Sequence, residues 1–288
     1  MKTKAIVTTA AALGMALFFC AQGARAATPA SDQGSLYQNP WGPANPQNRT
    51  TSGFAPWVFD VFDPSDNPVP NPFFIDTARG AWGIHMLADS PSELGYNAAW
   101  TSFKGDKHLN PGQTFSTTVL FTPPAAPNST KELPTEGVDF FAQDPSVPSH
   151  YDNFGHQVLG VYLGTYSTGT RFIRFTLLVH TGNAPSDENP SVIQTIPVAF
   201  TGTATIPQVV EITYTQQAQG HWTLRFESEA SSLGGGKTVI LTSHEYGATW
   251  NTTAAEGVDA VRYFTSQGGS SPGGPLEWQN RSVLPGVQ

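Results

Sequence analysis

Three stretches of this chain alternate apolar and polar residues with a period of two, and that pattern restricts the fold more than any other feature. In Gln208–Thr215, Val210, Ile212 and Tyr214 fall on one side, with Val209, Glu211, Thr213 and Thr215 on the other. In His221–Glu227, Trp222, Leu224 and Phe226 oppose His221, Thr223, Arg225 and Glu227. In Arg171–Val179, Ile173, Phe175, Leu177 and Val179 oppose Arg174 and Thr176. Side chains alternate across an extended strand, so each stretch predicts a strand with one buried and one wet face.

Ten further segments read as strands: Trp57–Phe62, Ala81–Leu87, Asn97–Phe103, Gln113–Phe121, Val138–Ala142, Gln157–Leu163, Ser191–Phe200, Lys237–Ser243, Val258–Phe264 and Leu276–Leu284. Each is rich in β-branched or aromatic residues and bounded by Gly, Pro, Asn or Asp. No window of helical length holds a 3.6-residue apolar stripe, and at most one helical turn, near Thr252–Glu256, fits the sequence. Half-buried strands in this number must stack as two antiparallel sheets or close into a barrel. The 28 glycines and 24 prolines agree with many short elements joined by turns.

Residues 1–26 read as an export signal. Lys2 and Lys4 precede an apolar run from Ala10 to Cys20, and Ala24-Arg25-Ala26 has the small-x-small form of a cleavage site. The expected location is therefore secreted or periplasmic. The run is too short for a permanent span of a bilayer core about 30 Å thick, so no membrane insertion is expected. Cleavage would remove the only cysteine and three basic residues, leaving 11 basic residues against 22 acidic ones, a net charge of −11. A chain this acidic lacks an electrostatic footprint for nucleic acid. Residues 27–52, rich in Pro, Asn, Gln and Ser, read as a low-order lead-in, and 53–288 as one β-sandwich domain.

The order of several segments resembles the concanavalin A-like jelly-roll sandwiches of secreted bacterial proteins. Those segments are Gly53-Phe-Ala-Pro-Trp57, Trp82-Gly-Ile-His-Met86, Leu109-Asn-Pro-Gly-Gln-Thr-Phe115, Gly257-Val-Asp-Ala-Val-Arg-Tyr-Phe264 and Leu276-Glu-Trp-Gln-Asn-Arg-Ser-Val283. The resemblance implies an all-β, two-sheet antiparallel sandwich from a superfamily that includes lectins, carbohydrate-binding modules, glucanases and lyases. The Glu-x-Asp-x-x-Glu strand of the glucanases is missing. Glu136 and Asp139 are the nearest pair, and their spacing of three sends them to opposite faces of a strand. Glu136, Asp139, Asp144-Pro145 and His150 follow the order, but not the spacing, of metal ligands in legume-type lectins.

Other motifs fail on context. Leu233-Gly-Gly-Gly-Lys-Thr238 lacks the first glycine of a phosphate-binding loop, where Ser231 stands. Gly269-Ser-Ser-Pro-Gly273 has no strand before it or helix after it to make a nucleophile elbow. The seven histidines contain no pair spaced for zinc.

The remaining chemistry lies on polar strand faces. Arg174, Glu211, His221 and Arg225 are expected to share one open sheet face as ligand-binding residues. Glu211 and Glu227 are the candidate acid and base should the chain be a glycoside hydrolase or polysaccharide lyase. Trp82 and Trp100 are candidate stacking platforms for a sugar ring. Asp60, Asp63 and Asp66 form an acidic cluster suited to a structural Ca²⁺; no other cofactor is expected. The leading expectation is a carbohydrate-binding sandwich without a catalytic motif that takes a glycan or another extracellular ligand; a hydrolase or lyase and a structural envelope or matrix protein are the alternatives.

Overall fold

The computed structural model describes residues 30–47, 52–62, 71–85, 95–103, 108–122, 135–142, 156–165, 171–178, 190–198, 208–217, 221–228, 238–242, 258, 260–267 and 275–284. The expected leader, Asp63, Asp66 and the helical turn at 252–256 lie outside them. All thirteen expected segments contain strands, and Leu276–Leu284 has the expected ends. The elements are β1 (Ala30–Gln33), a 3-10 turn (Gly34–Leu36), β2 (Val58–Phe62), β3 (Phe73–Asp76), β4 (Ala81–Ile84), β5 (Gly95–Ser102), β6 (Thr114–Phe121), β7 (Thr135–Ala142), β8 (His156–Thr165), β9 (Arg171–Leu178), β10 (Pro190–Val198), β11 (Gln208–Gln216), β12 (Trp222–Ser228), β13 (Thr238–Thr242), β14 (Ala260–Gln267) and β15 (Leu276–Leu284).

The strands form two antiparallel sheets. One has eight strands, in the order β13-β12-β11-β6-β15-β4-β3, with β1 also paired to β15. The other has seven, in the order β10-β9-β8-β7-β14-β5-β2. They pack face to face as a sandwich. Phe140 of β7 stacks on Tyr214 of β11 at 5.0 Å, Phe175 of β9 meets Phe226 of β12 edge-on at 5.5 Å, and Tyr263 of β14 lies parallel to Trp278 of β15 at 4.2 Å. The predicted apolar sets supply this core: Val210, Ile212, Tyr214, Trp222, Leu224, Phe226, Ile173 and Phe175 are all buried within it. Burying a large aromatic or aliphatic side chain stabilises by about 1.5–3 kcal/mol, so the interleaved aromatic layer is the main force joining the sheets.

The low-order lead-in expected over residues 27–52 is corrected for 30–47. β1 adds to the sheet beside β15. Trp41 is fully buried, edge-on to Trp57, Phe59, Phe73 and Trp278. Asp32 is also buried, accepting from Arg281 Nη2 at 2.6 Å and from the Tyr37 hydroxyl at 2.7 Å. Composition marked this segment as irregular because its polar residues outnumber its apolar ones. A few large buried groups hold it in place.

Candidate functional site

The two outward faces differ in chemistry, and the predicted site residues divide between them. On the eight-stranded sheet, Glu211 and Glu227 are directly opposed across β11 and β12, and Arg225 is paired with Thr213 two positions along. Arg225 donates to Glu227, and Ser116 Oγ donates to Glu211 at 3.2 Å. Hydrogen bonding from Arg225 holds the Glu227 carboxyl below its usual range. His221 precedes β12 and is half-buried. This face also carries a hydroxylic row, Thr242, Thr223, Thr215 and Thr114, across four strands, and two exposed apolar side chains, Ile240 opposite Arg225 and Leu284 opposite Thr114.

Arg174 is not part of that group. It lies on β9, in the other sheet, so the single face expected for Arg174, Glu211, His221 and Arg225 is corrected to two faces on opposite sides of the sandwich. Strand alternation fixed the polar side of each strand but could not assign the strand to a sheet. Trp82 is corrected as well. It is fully buried between the sheets against Tyr37, Trp57 and Trp278, where no sugar can stack on it.

The outward face of the seven-stranded sheet holds the denser site, in two cross-strand rows. The first runs Asp60, Ala98, Phe264, Gly137, Tyr162, Arg174 and Thr195. The second, one pleat along, runs Val58, Trp100, Arg262, Asp139 and Gly160. Arg262 is the hub. Its Nε and Nη2 both donate to Asp139 Oδ2, at 2.8 and 2.6 Å. Its guanidinium lies 4.6 Å from the Trp100 ring centre, 5.0 Å from Phe141 and 5.2 Å from Phe264. Tyr162 is edge-on to Phe264 at 5.4 Å and hydrogen-bonds Asp139. Trp100 is fully buried beneath this arrangement, so the exposed stacking platform expected there is corrected: the accessible surface belongs to the half-buried Arg262, Tyr162 and Phe264.

Glycines shape the floor. A Cβ on Gly160 would overlap the Tyr162 hydroxyl and come within 2.8 Å of Asp139 Oδ1; one on Gly137 would lie 2.6 Å from the Tyr162 ring and 2.9 Å from Phe264. These glycines, with Ala98 in the first row, let the Tyr162 and Phe264 rings lie close to the sheet. Burial pushes the Asp139 carboxyl up, against the opposing pull of Arg262 and Tyr162.

Asp139, Arg262, Tyr162 and Phe264 were not among the expected ligand-binding residues. Their available signal was the pair of glycines inside otherwise strong strands, which marks close approach by a neighbouring group. The opposite facing expected of Glu136 and Asp139 is observed: Asp139 faces outward, while Glu136 shares the inward side of β7 with Val138 and Phe140. Asp60 is the one residue of the expected acidic cluster that is described, half-buried on β2. Among the described residues, no group of three His, Cys, Asp or Glu side chains gathers as metal ligands.

Fold and face together define a two-sheet antiparallel sandwich bearing a cluster of aromatic rings and arginine on one sheet. No protein-family model and no curated protein sequence matches the chain. Several solved structures align with the chain at low similarity. An endo-1,3-beta-glucanase from Streptomyces sioyaensis aligns at 13% identity over 78% of this chain and 88% of its own, with a TM-score of 0.48. The CBM2 module of the evolved Dit of Lactobacillus casei BL23 phage J-1 aligns at 12% identity over 89% and 96%, with a TM-score of 0.47. The VIP36 exoplasmic/lumenal domain, in its Ca²⁺- and Man2-bound form, aligns at 10% identity over 81% and 82%, with a TM-score of 0.42.

Proposed function

We propose that this chain is an exported protein that binds a glycan, without catalysis, on the outward face of its seven-stranded sheet. The observation that carries the reading is the pair of cross-strand rows that gather Tyr162, Phe264, Arg262, Asp139 and Arg174 over a floor of Gly137, Gly160 and Ala98. A pyranose offers a flat C–H face and a rim of hydroxyls. Half-buried rings supply the stacking surface, and guanidinium and carboxylate groups supply donors and acceptors in fixed positions. The leader-like residues 1–26 support export, into a compartment where polysaccharides are available ligands.

The opposite face supports a weaker reading. Glu211 and Glu227, the acid and base of a hydrolase reading, stand on an exposed face where Arg225 keeps Glu227 acidic. A general acid needs a raised pKa, produced by burial. We therefore assign the ligand to the seven-stranded sheet.

The test is a polysaccharide array probed with the purified protein, followed by titration of any hit. Arg174→Ala and Phe264→Ala are expected to weaken binding about tenfold or more, the scale of losing one stacking or charge-assisted contact. Glu211→Gln and Glu227→Gln are expected to leave it unchanged. Binding lost in the second pair and kept in the first would move the site to the other sheet, and no binding to any glycan would reject the reading.

A further inference from the structure

Three strands of the seven-stranded sheet carry a polar row that faces the apolar interior. Register places Asn97 of β5, Thr265 of β14 and Glu136 of β7 side by side, with Thr265 in the middle. Their neighbours two positions along, Ala99, Tyr263 and Val138, belong to the core between the sheets. Alternation therefore turns all three inward, and none is more than 1% exposed.

Asn97 Oδ1, Thr265 Oγ1 and both carboxylate oxygens of Glu136 have no hydrogen-bond partner among the described residues. The Thr122 amide lies toward Glu136, yet neither carboxylate oxygen has a partner in hydrogen-bond geometry. Asn97 is oriented by its amide, which donates to the His85 carbonyl at 3.1 Å and leaves Oδ1 for another partner. Buried polar atoms are overwhelmingly partnered in folded proteins, so four orphaned oxygens on three adjacent side chains form a concentrated exception.

The set has a definite chemistry. All four atoms are oxygens, and with Glu136 ionised only the threonine hydroxyl can donate. A water molecule could give two hydrogens to such a set but would leave the carboxylate charge uncompensated. Burial, and after it the like charge of Glu277 of the facing sheet, pushes the Glu136 carboxyl well above its usual range. Once Glu136 gives up its proton the set is oxygen-only, acceptor-rich and negative, which suits a hard cation that displaces that proton on binding. Calcium fits best, because it accepts irregular geometry with bidentate carboxylate, amide and hydroxyl oxygens, whereas magnesium demands a regular octahedron.

We propose that Glu136, Asn97 and Thr265 form an interior Ca²⁺ site that ties β5, β14 and β7 together between the sheets. Glu136 binds through both carboxylate oxygens, Asn97 through Oδ1 and Thr265 through Oγ1. Water or main-chain carbonyls complete the six to eight positions calcium takes. One carboxylate makes this a low-affinity site, in the range of about 10⁻⁴–10⁻³ M found for extracellular modules.

The experiment uses the full-length mature protein, stripped with EDTA and dialysed. Its thermal midpoint is followed while CaCl₂ is titrated to about ten times the expected dissociation constant, and equilibrium dialysis gives the stoichiometry. One ion per chain and a rise of about 3–5 °C are expected. Glu136→Gln keeps the size but removes the charge, and should abolish the rise. Asn97→Asp adds a second carboxylate and should lower the calcium concentration at half-effect about tenfold. No rise in the wild type, or a rise that persists in Glu136→Gln, overturns the proposal; a rise lost instead in Asp60→Asn assigns the ion to the surface. Should Glu136→Gln fail to fold, Asn97→Asp decides: a lower half-effect concentration supports the interior site, and an unchanged one rejects it.

Discussion

Replacing Asp32 with Asn tests how the N-terminal segment is held. Asp32 and Arg281 form an ion pair at 2.6 Å with side chains 0% and 2% exposed. Removing one member of a buried pair strands the other charge, at a cost of about 3–5 kcal/mol. Two features set the expected value toward the lower end. Arg281 lies 3.9 Å from the Trp57 ring centre and 4.2 Å from Phe54, and a desolvated cation over an aromatic face recovers about 2 kcal/mol. The Asn amide oxygen also still accepts from Tyr37. The expected loss is therefore about 3 kcal/mol, which for a chain of this size lowers the thermal midpoint by roughly 6–12 °C. Urea unfolding followed by tryptophan fluorescence measures it, since Trp57 and Trp82 both lie beside Arg281. The double variant Asp32→Leu with Arg281→Met removes both charges and should recover most of the loss. A single variant within 1 kcal/mol of wild type, or a double variant no better than Asp32→Asn, would refute the claim that an uncompensated buried charge dominates here.

Three other outcomes follow from named contacts. Gly160→Ala places a methyl group where the Tyr162 hydroxyl sits, so it should destabilise by about 1–3 kcal/mol and weaken glycan binding; an unchanged urea midpoint would show that Tyr162 moves aside freely. Burial raises the Glu277 carboxyl to about 7, from an ordinary 4.5. The folded state therefore holds a proton that the unfolded state releases between those values, and stability should fall as pH rises from about 4.5 through 7. Glu277→Gln should flatten that slope in a series of thermal midpoints, and an undiminished slope would assign the effect to another group. Glu227→Gln breaks an ion pair on an exposed strand face, where such pairs contribute little, and a measurable drop in midpoint would contradict that placement.

Much of the secondary structure was legible because strand periodicity is local. Val210, Ile212 and Tyr214 announced their buried side through spacing alone, as did Trp222, Leu224 and Phe226, and each lies in the core. β1 and β3 escaped notice for the same reason. Each has only four residues, and Asp32 and Asp76 weaken their apolar character, whereas the equally short β4 is apolar throughout. The site was less legible. Arg174 and Arg225 look equivalent in sequence, each on the polar side of an amphipathic strand, yet they lie on opposite sides of the molecule. Trp82 and Trp100 look equally available for stacking, yet one is between the sheets and the other lies beneath a guanidinium.

The sequence by itself determined that strands would form, which side of each would be buried, and that the chain would build a layered β structure. Those properties depend on residues two positions apart, and backbone geometry relates them without help from the rest of the chain. Only the tertiary structure decided which strands became neighbours. Pairing β14 with β7 and β5 brought Arg262 to Asp139 and Trp100, and set Thr265 between Glu136 and Asn97. These partners are more than a hundred residues apart, and the order of strands in a sheet is settled by core packing and hydrogen-bond register, which leave no periodic trace in the sequence.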